Sequence, residues 1–401
     1  MKTFSLSRTK NLLQKRIGLH REEIIRFLSD LVSIPTTNPP GEFYEVCAKY
    51  ISRRLSGWKI EHRLIRISGG RYPRLAVVSR NAGKTRAIHF HGHYDVIPVQ
   101  TLEQFRPVLL RDRLYGRGSS DMKGGLAAMI LALRLLQEEG LAVGRDVTFS
   151  IVPDEETGGR LGTQRLFEKK ILPQGRWGMI MPEPTDGDIW FANKGALTFR
   201  ITVAGKSAHV GLARQGINAF ERMITMAESF LKFKGRIERR GDSVMLIGGT
   251  SGSGSSFNLV PNVAYFTVDC RLGLGQSLKV FKGNILKIIR DKRKKEWPVE
   301  IKILQEGNSS WTDPDMVLGR ALARAVRQVK GRPARYEICP GLLEIRFFNV
   351  RGIPAYACGP GVLAVSHGPH EYVNIRDILD ATAIYVLAVR DCFSGDKENI
   401  L

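Results

Sequence analysis

The chain has 401 residues, more than one compact core ordinarily needs, so two or three structural units are expected. Its 43% hydrophobic and 25% charged residues exclude an intrinsically disordered chain, and no run of eighteen apolar residues offers a transmembrane helix. Lys and Arg number 61 against 39 Asp and Glu, a formal +22 that permits attraction to polyanions or acidic substrates but specifies no fold.

The basic start MKTFSLSRTKNLLQKR has neither the apolar stretch nor the small-residue cleavage site of a secretory signal. The cysteines Cys47, Cys270, Cys339, Cys358 and Cys392 form no CxxC pair, so a reducing, cytoplasmic setting is expected. Helical spacing of Ile24, Ile25, Phe27, Leu28, Leu31 and Val32 predicts a helix over 21–32, ended by Ile34-Pro35 and the loop TTNPPGE. A second helix covers 43–55. Strand-like runs follow at 75–78, 87–91, 147–152 and 179–181, with a helix over 125–139 between two of them. Short apolar strands alternating with helices indicate an α/β sheet covered on both faces.

The texture changes near Gly195. Strands at 197–203, 263–271 and 299–304 and helices at 216–233 and 276–295 fit a split βαβ arrangement, two helices over a small antiparallel sheet. The Gly/Ser segment 248–256 reads as a loop. After Asp313 the α/β pattern resumes with a helix at 316–329, a strand at 353–357 and a helix at 375–390. The economical reading is one α/β domain, residues 1–194 and 307–401, interrupted by a smaller α+β domain, residues 195–306.

Chemistry gathers at the ends of the predicted strands. His89, His91 and His93 alternate along one of them, and Asp95 follows; a ligating imidazole is ordinarily oriented by a carboxylate or carbonyl on its second nitrogen. Alone, such a histidine more often just bonds backbone. The Gly-rich turn 114–125 carries Asp121; it lacks the GK[ST] of a phosphate loop, and an aspartate there repels phosphate. Three adjacent acids, Asp154, Glu155 and Glu156, follow the strand 147–152, Glu183 stands between Pro182 and Pro184, and His367 follows Gly359-Pro-Gly361. Each is weak evidence singly, yet all lie past carboxyl ends of strands in one domain, where open α/β sheets bind ligands. Imidazole with carboxylate suits zinc, cobalt or manganese better than calcium.

In these motifs, from Ser33-Ile-Pro-Thr to Glu371-Tyr-Val, the chain resembles the metallopeptidase and deacylase family that includes acetylornithine deacetylase, succinyl-diaminopimelate desuccinylase, aminoacylase and the glutamate-releasing carboxypeptidases. The resemblance implies a doubly wound mixed-sheet catalytic domain with an inserted ferredoxin-like lid and dimerisation domain. It implies two divalent metals, zinc first and cobalt or manganese after it. His93, Asp121 and Glu183 would hold one, and Asp121, Glu156 and His367 the other. Glu155 is then the general base, Asp95 the partner of His93, and His209 the lid histidine that completes the site, often of a neighbouring subunit. Asn258, Arg271 and Arg346 become candidates to grip substrate. One departure matters: Leu343 stands in Gly341-Leu-Leu-Glu344-Ile-Arg346 where many relatives carry a hydroxyl residue, which weakens a strict desuccinylase reading.

The expected activity is therefore hydrolysis of a small N-acyl amino acid by a two-metal deacylase, with a carboxypeptidase or dipeptidase as the alternative. A homodimer through the inserted domain is expected, and no membrane partner. A basic nucleic-acid-binding protein on a degenerate enzyme fold is the alternative from another class. Its support is charge: residues 195–306 carry 19 Lys and Arg against 9 Asp and Glu, with eight of the bases between Lys279 and Lys295. No interleaved aromatic platform accompanies them, and the intact ligand set argues against degeneracy.

Overall fold

The computed structural model describes residues 6–68, 71–80, 87–141, 143, 145–172, 178–239, 241–292 and 298–394. The chain divides into two compact units: Met1–Ala192, Trp311–Ile338 and Leu343–Leu401 form the first, and Asn193–Ser310 with Cys339–Leu342 the second. The excursion of 339–342 into the second unit is unforeseen in the sequence, where nothing in Cys-Pro-Gly-Leu marks a crossing.

In chain order the first unit contributes α1 (Leu6–Gly18), α2 (Arg21–Ser33), α3 (Tyr44–Gly57), β1 (His62–Ser68), β2 (Arg74–Ser79), β3 (Ile88–His93), β4 (Val108–Leu110) and β5 (Arg113–Tyr115). It continues through α4 (Gly124–Glu138), β6 (Val147–Val152), α5 (Thr163–Glu168), β7 (Gly178–Met181) and β8 (Ile189–Asn193). The second unit supplies β9 (Gly195–Ala204), α6 (Ala219–Glu238), β10 (Val244–Ser253), β11 (Val263–Leu272), α7 (Leu278–Lys292) and β12 (Val299–Gly307). After β13 (Ser310–Trp311) come α8 (Val317–Lys330), β14 (Tyr336–Cys339), α9 (Ile345–Asn349), β15 (Ala355–Ala357), β16 (Tyr372–Asn374) and α10 (Ile375–Ser394).

The large sheet runs β1-β2-β6-β3-β7-β15-β8-β13, with β14 paired to β8. Its centre is parallel: β3 lies parallel to both β6 and β7, and β7 parallel to β15. Towards the edge, β2 is antiparallel to β6 and β1 antiparallel to β2, so the sheet is mixed. Both faces are covered. Phe90 of β3 meets Tyr385 of α10 at 5.4 Å between centroids on one face; on the other, His91 meets Phe348 of α9 at 5.1 Å, and Phe348 meets Phe167 of α5 at 4.9 Å. α4 is buried along nearly its whole length, which is why its sequence is apolar all round instead of striped.

The second unit follows the β-α-β-β-α-β order with sheet order β10-β11-β9-β12, all pairs antiparallel. Alternate residues of β9, Leu197, Phe199, Ile201 and Val203, are buried against α6, whose Phe230 meets Phe199 at a tilt and Phe266 edge to face. Burying each such phenylalanine contributes about 1.5–3 kcal/mol. α6 begins at Ala219 because Asn218 caps it, its side chain accepting from the amides of Phe220 and Glu221.

Several elements differ from expectation, the short β4, β5, β13, β14, β16, α5 and α9 among them. Residues 248–253 of the Gly/Ser segment belong to strand β10: pairing to β11 absorbs the glycines through a register shift between Ile247 and Ser251. β1 and β8 are additional strands; β1 is an edge whose basic residues break the apolar alternation, and β8 is only five residues long. α1 is an additional helix, on which Leu13 and Ile17 are buried and Arg16 pairs with Glu138 and Glu139. No helix among the described residues is long and apolar enough to cross a membrane.

Candidate metal centre

Parallel pairing of β6, β3, β7 and β15 places four carboxyl ends on one edge of the sheet. His93 is the last residue of β3, Glu155 and Glu156 open the turn after β6, and Glu183 follows β7 by one proline. Asp121 arrives from the turn between β5 and α4. That turn presses onto β3 because Gly92 has no side chain: a Cβ there would stand 2.7 Å from Leu126 and 2.9 Å from Met122. Gly125 does the same for the Glu183 loop, since a Cβ would meet the Pro182 carbonyl at 2.0 Å.

Two clusters of ligand atoms result, His93 with Asp121 and Glu183, and Asp121 with Glu156 and His367; within each, the atoms lie within 4.8 Å of one another. Asp121 belongs to both. His93 Nε2 is 3.4 Å from Asp121 and 3.7 Å from Glu183, while His367 Nε2 is 3.5 Å from Asp121 and 3.3 Å from Glu156. Three buried atoms of the set, His93 Nε2, Glu156 Oε1 and Glu183 Oε1, have no hydrogen-bond partner. Buried polar atoms are rarely left so, and donors of this kind converging on a gap fit a divalent cation.

The electrostatics agree. Burial first, then the neighbouring carboxylates, push the Glu155 and Glu183 carboxyls well above the usual range, and burial raises Glu156 as well. Burial works against charging His93, but the nearby Asp121 and Asp95 carboxylates win and raise it. Against the same opposition from burial, the Asp121 and Glu156 carboxylates push His367 up to about 11. Burial opposes ionisation of Asp121 too, yet the two imidazoles hold it below the usual range. The three glutamates and two histidines so crowded bind protons more tightly than usual, and a bound cation would displace them.

Asp95 is fully buried and does more than orient one ring. Its carboxylate lies 3.4 Å from His93 Nδ1, whose closer acceptor at 3.1 Å is the Asp95 carbonyl. It also accepts the backbone amides of Glu155 and Glu156 at 3.2 and 3.1 Å and Asn38 Nδ2 at 2.8 Å. The ring on β3 and the acidic turn after β6 are thereby fixed to one another. Asn38 went unsingled in the sequence; its only signal is the loop TTNPPGE. Glu371 is likewise unassigned there, yet it is buried and accepts the amides of Ser120 and Asp121. Arg117 and Lys123, on either side of Asp121 in sequence, are both buried. Lys123 donates to the carbonyls of Leu31 and Ile34 at the end of α2, and burial pushes its ammonium down to about 8.

His89 and His91 are buried in the sheet, bonded to Thr148, Ser150 and Glu344. Arg346, expected to grip a substrate carboxylate, is buried and donates to the carbonyls of Leu343 and Gly158. Those bonds tie α9 to the acidic turn. In the second unit, His209 and Asn258 are exposed neighbours: the Val210 amide bonds the Asn258 carbonyl, and His209 Nδ1 accepts the Gly211 amide. Arg271 makes a two-pronged ion pair with Asp269 at 2.8 and 3.0 Å.

With this geometry in view, the likeness to known proteins is specific. The chain is 25% identical over 400 residues to succinyl-diaminopimelate desuccinylase of Shewanella pealeana, covering 96% of this chain and 99% of that one. It is 23% identical over 406 residues to an uncharacterised metallohydrolase of Methanocaldococcus jannaschii, covering 91% and 98%. Among solved structures it resembles the di-peptidase Dug1p of Saccharomyces cerevisiae with a TM-score of 0.79 at 13% identity, covering 98% of this chain and all of that one. Residues 89–391 match Peptidase family M20/M25/M40. A match over most of the chain, with desuccinylase relatives at full length, shows that this protein belongs to Peptidase family M20/M25/M40 and is a metal-dependent hydrolase of amide or peptide bonds.

Proposed function

We propose a two-metal deacylase that removes the acyl group from a small N-acyl amino acid. The observation that carries this reading is the sharing of Asp121 between two ligand clusters whose buried atoms lack partners. His93, Asp121 and Glu183 would hold one ion, and Asp121, Glu156 and His367 the other. Zinc suits the nitrogen and oxygen donors best, with cobalt or manganese next. When bound, such a pair supplies Lewis acidity towards the scissile carbonyl and acidifies water.

The protein's own groups supply the rest. No hydrogen-bond donor among the described residues meets the Glu155 carboxyl, so it is free to take a proton from water and deliver it to the departing amine. Its raised affinity for protons suits a base that must return what it takes. Asp95 keeps Glu155 and His93 in fixed relation. His209 is the proposed donor to the developing oxyanion, and Asn258 with Arg271 the proposed contacts to a substrate carboxylate. Arg271 would have to leave Asp269 to serve, so Asp269 is part of that switch.

The second unit is proposed to pair two copies of the chain in the cytoplasm. Phe220, Ile224 and Leu231 lie exposed along α6 beside the edge strand β10, where Val244 and Leu246 are also exposed. Bare apolar helix and unpaired strand together form a self-complementary surface. Dipeptidase activity is the second reading, favoured by the likeness in fold to a di-peptidase. Zinc- or cobalt-loaded protein should hydrolyse members of a panel of N-acetyl and N-succinyl amino acids, with Glu155→Ala inactive but still metal-bound. Turnover confined to dipeptides would favour the second reading, and no turnover of either class would sink both.

A further inference from the structure

The buried pair Arg117–Glu371 takes no part in the chemistry above, and both residues are only 2% exposed. Besides the bond that joins them, three hydrogen bonds run from the pair to the backbone of His367, Asp121 and the adjacent Ser120. Arg117 Nη1 donates to Glu371 Oε2 at 2.6 Å, and Arg117 Nη2 donates to the carbonyl of His367 at 3.2 Å. Glu371 Oε1 accepts the amides of Ser120 at 3.0 Å and of Asp121 at 3.1 Å. Two residues of the second cluster, from segments 246 positions apart in sequence, are thus joined through one ion pair.

The surrounding structure delivers the pair to this place. Tyr372 of β16 pairs with Tyr115 of β5, so Glu371 falls opposite Gly116, whose amide donates to the Glu371 carbonyl at 3.0 Å. Gly118 adopts φ 82°, and a Cβ there would stand 2.5 Å from Val96, so only glycine lets the turn close over the carboxylate. Ser120 Oγ makes a further tie: it accepts the Val362 amide at 3.1 Å, and a Cβ on Gly361 would meet it at 2.5 Å. His367 itself sits at φ 65° with nearly half of its side chain exposed, so little packing holds its ring in place.

We infer that Arg117–Glu371 is a positioning pair that sets the separation of Asp121 and His367, and with it the affinity of the second metal site. The inference rests on the two-metal reading. Arg117 reaches only the His367 side of the centre, so its loss should weaken the site that includes His367 and spare the site of His93, Asp121 and Glu183. Glu371 holds the backbone of the shared aspartate, so its loss should weaken both. A pair that merely stabilises the fold would lower the melting temperature and leave both affinities unchanged in folded protein.

The test is stepwise zinc titration by calorimetry of the full-length protein, with the d–d absorption of the cobalt form as a second readout. Wild type, Arg117→Met, Arg117→Lys and Glu371→Gln are compared. Arg332→Met, which removes a partner of the buried Asp188 elsewhere in the same unit, serves as the control for lost ion pairing. Arg117→Met should keep the first ion and bind the second about 10–100-fold more weakly. Arg117→Lys, whose single ammonium cannot serve both Glu371 and the His367 carbonyl, should fall in between, and it decides the matter if the methionine variant does not fold. Arg332→Met should bind both ions as wild type does. Wild-type affinity for both ions in folded Arg117→Lys and Arg117→Met would overturn the inference. A wild type that takes up fewer than two ions would instead overturn the two-metal reading beneath it.

Discussion

Asp95 shows how one carboxylate organises a centre without ligating. It lies beside His93 Nδ1 and accepts the amides of the two residues that carry the base and a ligand. Asp95→Asn keeps the shape but removes the charge and turns one acceptor into a donor facing amides. Metal affinity should fall about 10–100-fold by titration, as for other partners of ligating groups, and kcat should fall further because Glu155 loses its anchor. Unchanged affinity would show that the Asp95 carbonyl alone orients the ring. This residue was legible in the sequence as the expected partner of His93 through the family resemblance, since His-x-Asp at a strand end alone does not single it out. Its hold on the acidic turn was not, because that contact joins segments 60 positions apart. Arg346 shows another limit of the sequence: its bonds to the carbonyls of Leu343 and Gly158 join segments up to 188 positions apart, and no motif announces them.

At the scale of elements, glycine positions separate steric need from mere tolerance. Gly125, in the first turn of α4, has the Pro182 carbonyl where a Cβ would go, and neither backbone can retreat without moving Glu183. Gly125→Ala should therefore cost about 1–3 kcal/mol or more in denaturant unfolding and weaken metal binding. Gly235 lies inside α6 with open space where a methyl group would project, nothing standing within 4 Å of it, so Gly235→Ala should stabilise the protein by about 0.5–1 kcal/mol. Equal effects at the two positions would contradict the packing described. The central strands and the long helices were legible from their periods, since burial on both faces or on one stripe leaves a pattern. β1 and β8 were not: at the edge of the sheet the basic residues of β1 break the alternation, and β8 is too short to show a period. The Gly/Ser segment of β10 was misread because strand pairing can tolerate glycines that local propensity rejects.

At the scale of the whole molecule, the centre couples stability to pH. In metal-free protein the buried glutamates and both histidines bind protons more tightly than their ordinary values of 4.5 and 6.5. A raised value means stability that is present below the unfolded value and is lost as pH rises towards the folded one. Metal-free protein should therefore lose melting temperature between pH 6 and 8, whereas metal affinity should climb over the same interval as cations displace protons. Lys123, pushed down to about 8, acts in the opposite sense above that pH, so the window is read below it. Calorimetric scans with chelator and with zinc would show the two trends diverging; parallel trends would contradict the assignment. The +22 charge belongs to this scale as well: it sets long-range attraction, and any retention of nucleic acid through it should collapse as salt is raised.

The shared aspartate is tested most directly by counting ions. Zinc titration of wild-type protein beside Asp121→Ala should show two ions bound by the first and, at the same concentrations, neither by the second, because each cluster loses a ligand at once. Retention of one ion at wild-type affinity in Asp121→Ala would contradict a centre bridged by Asp121.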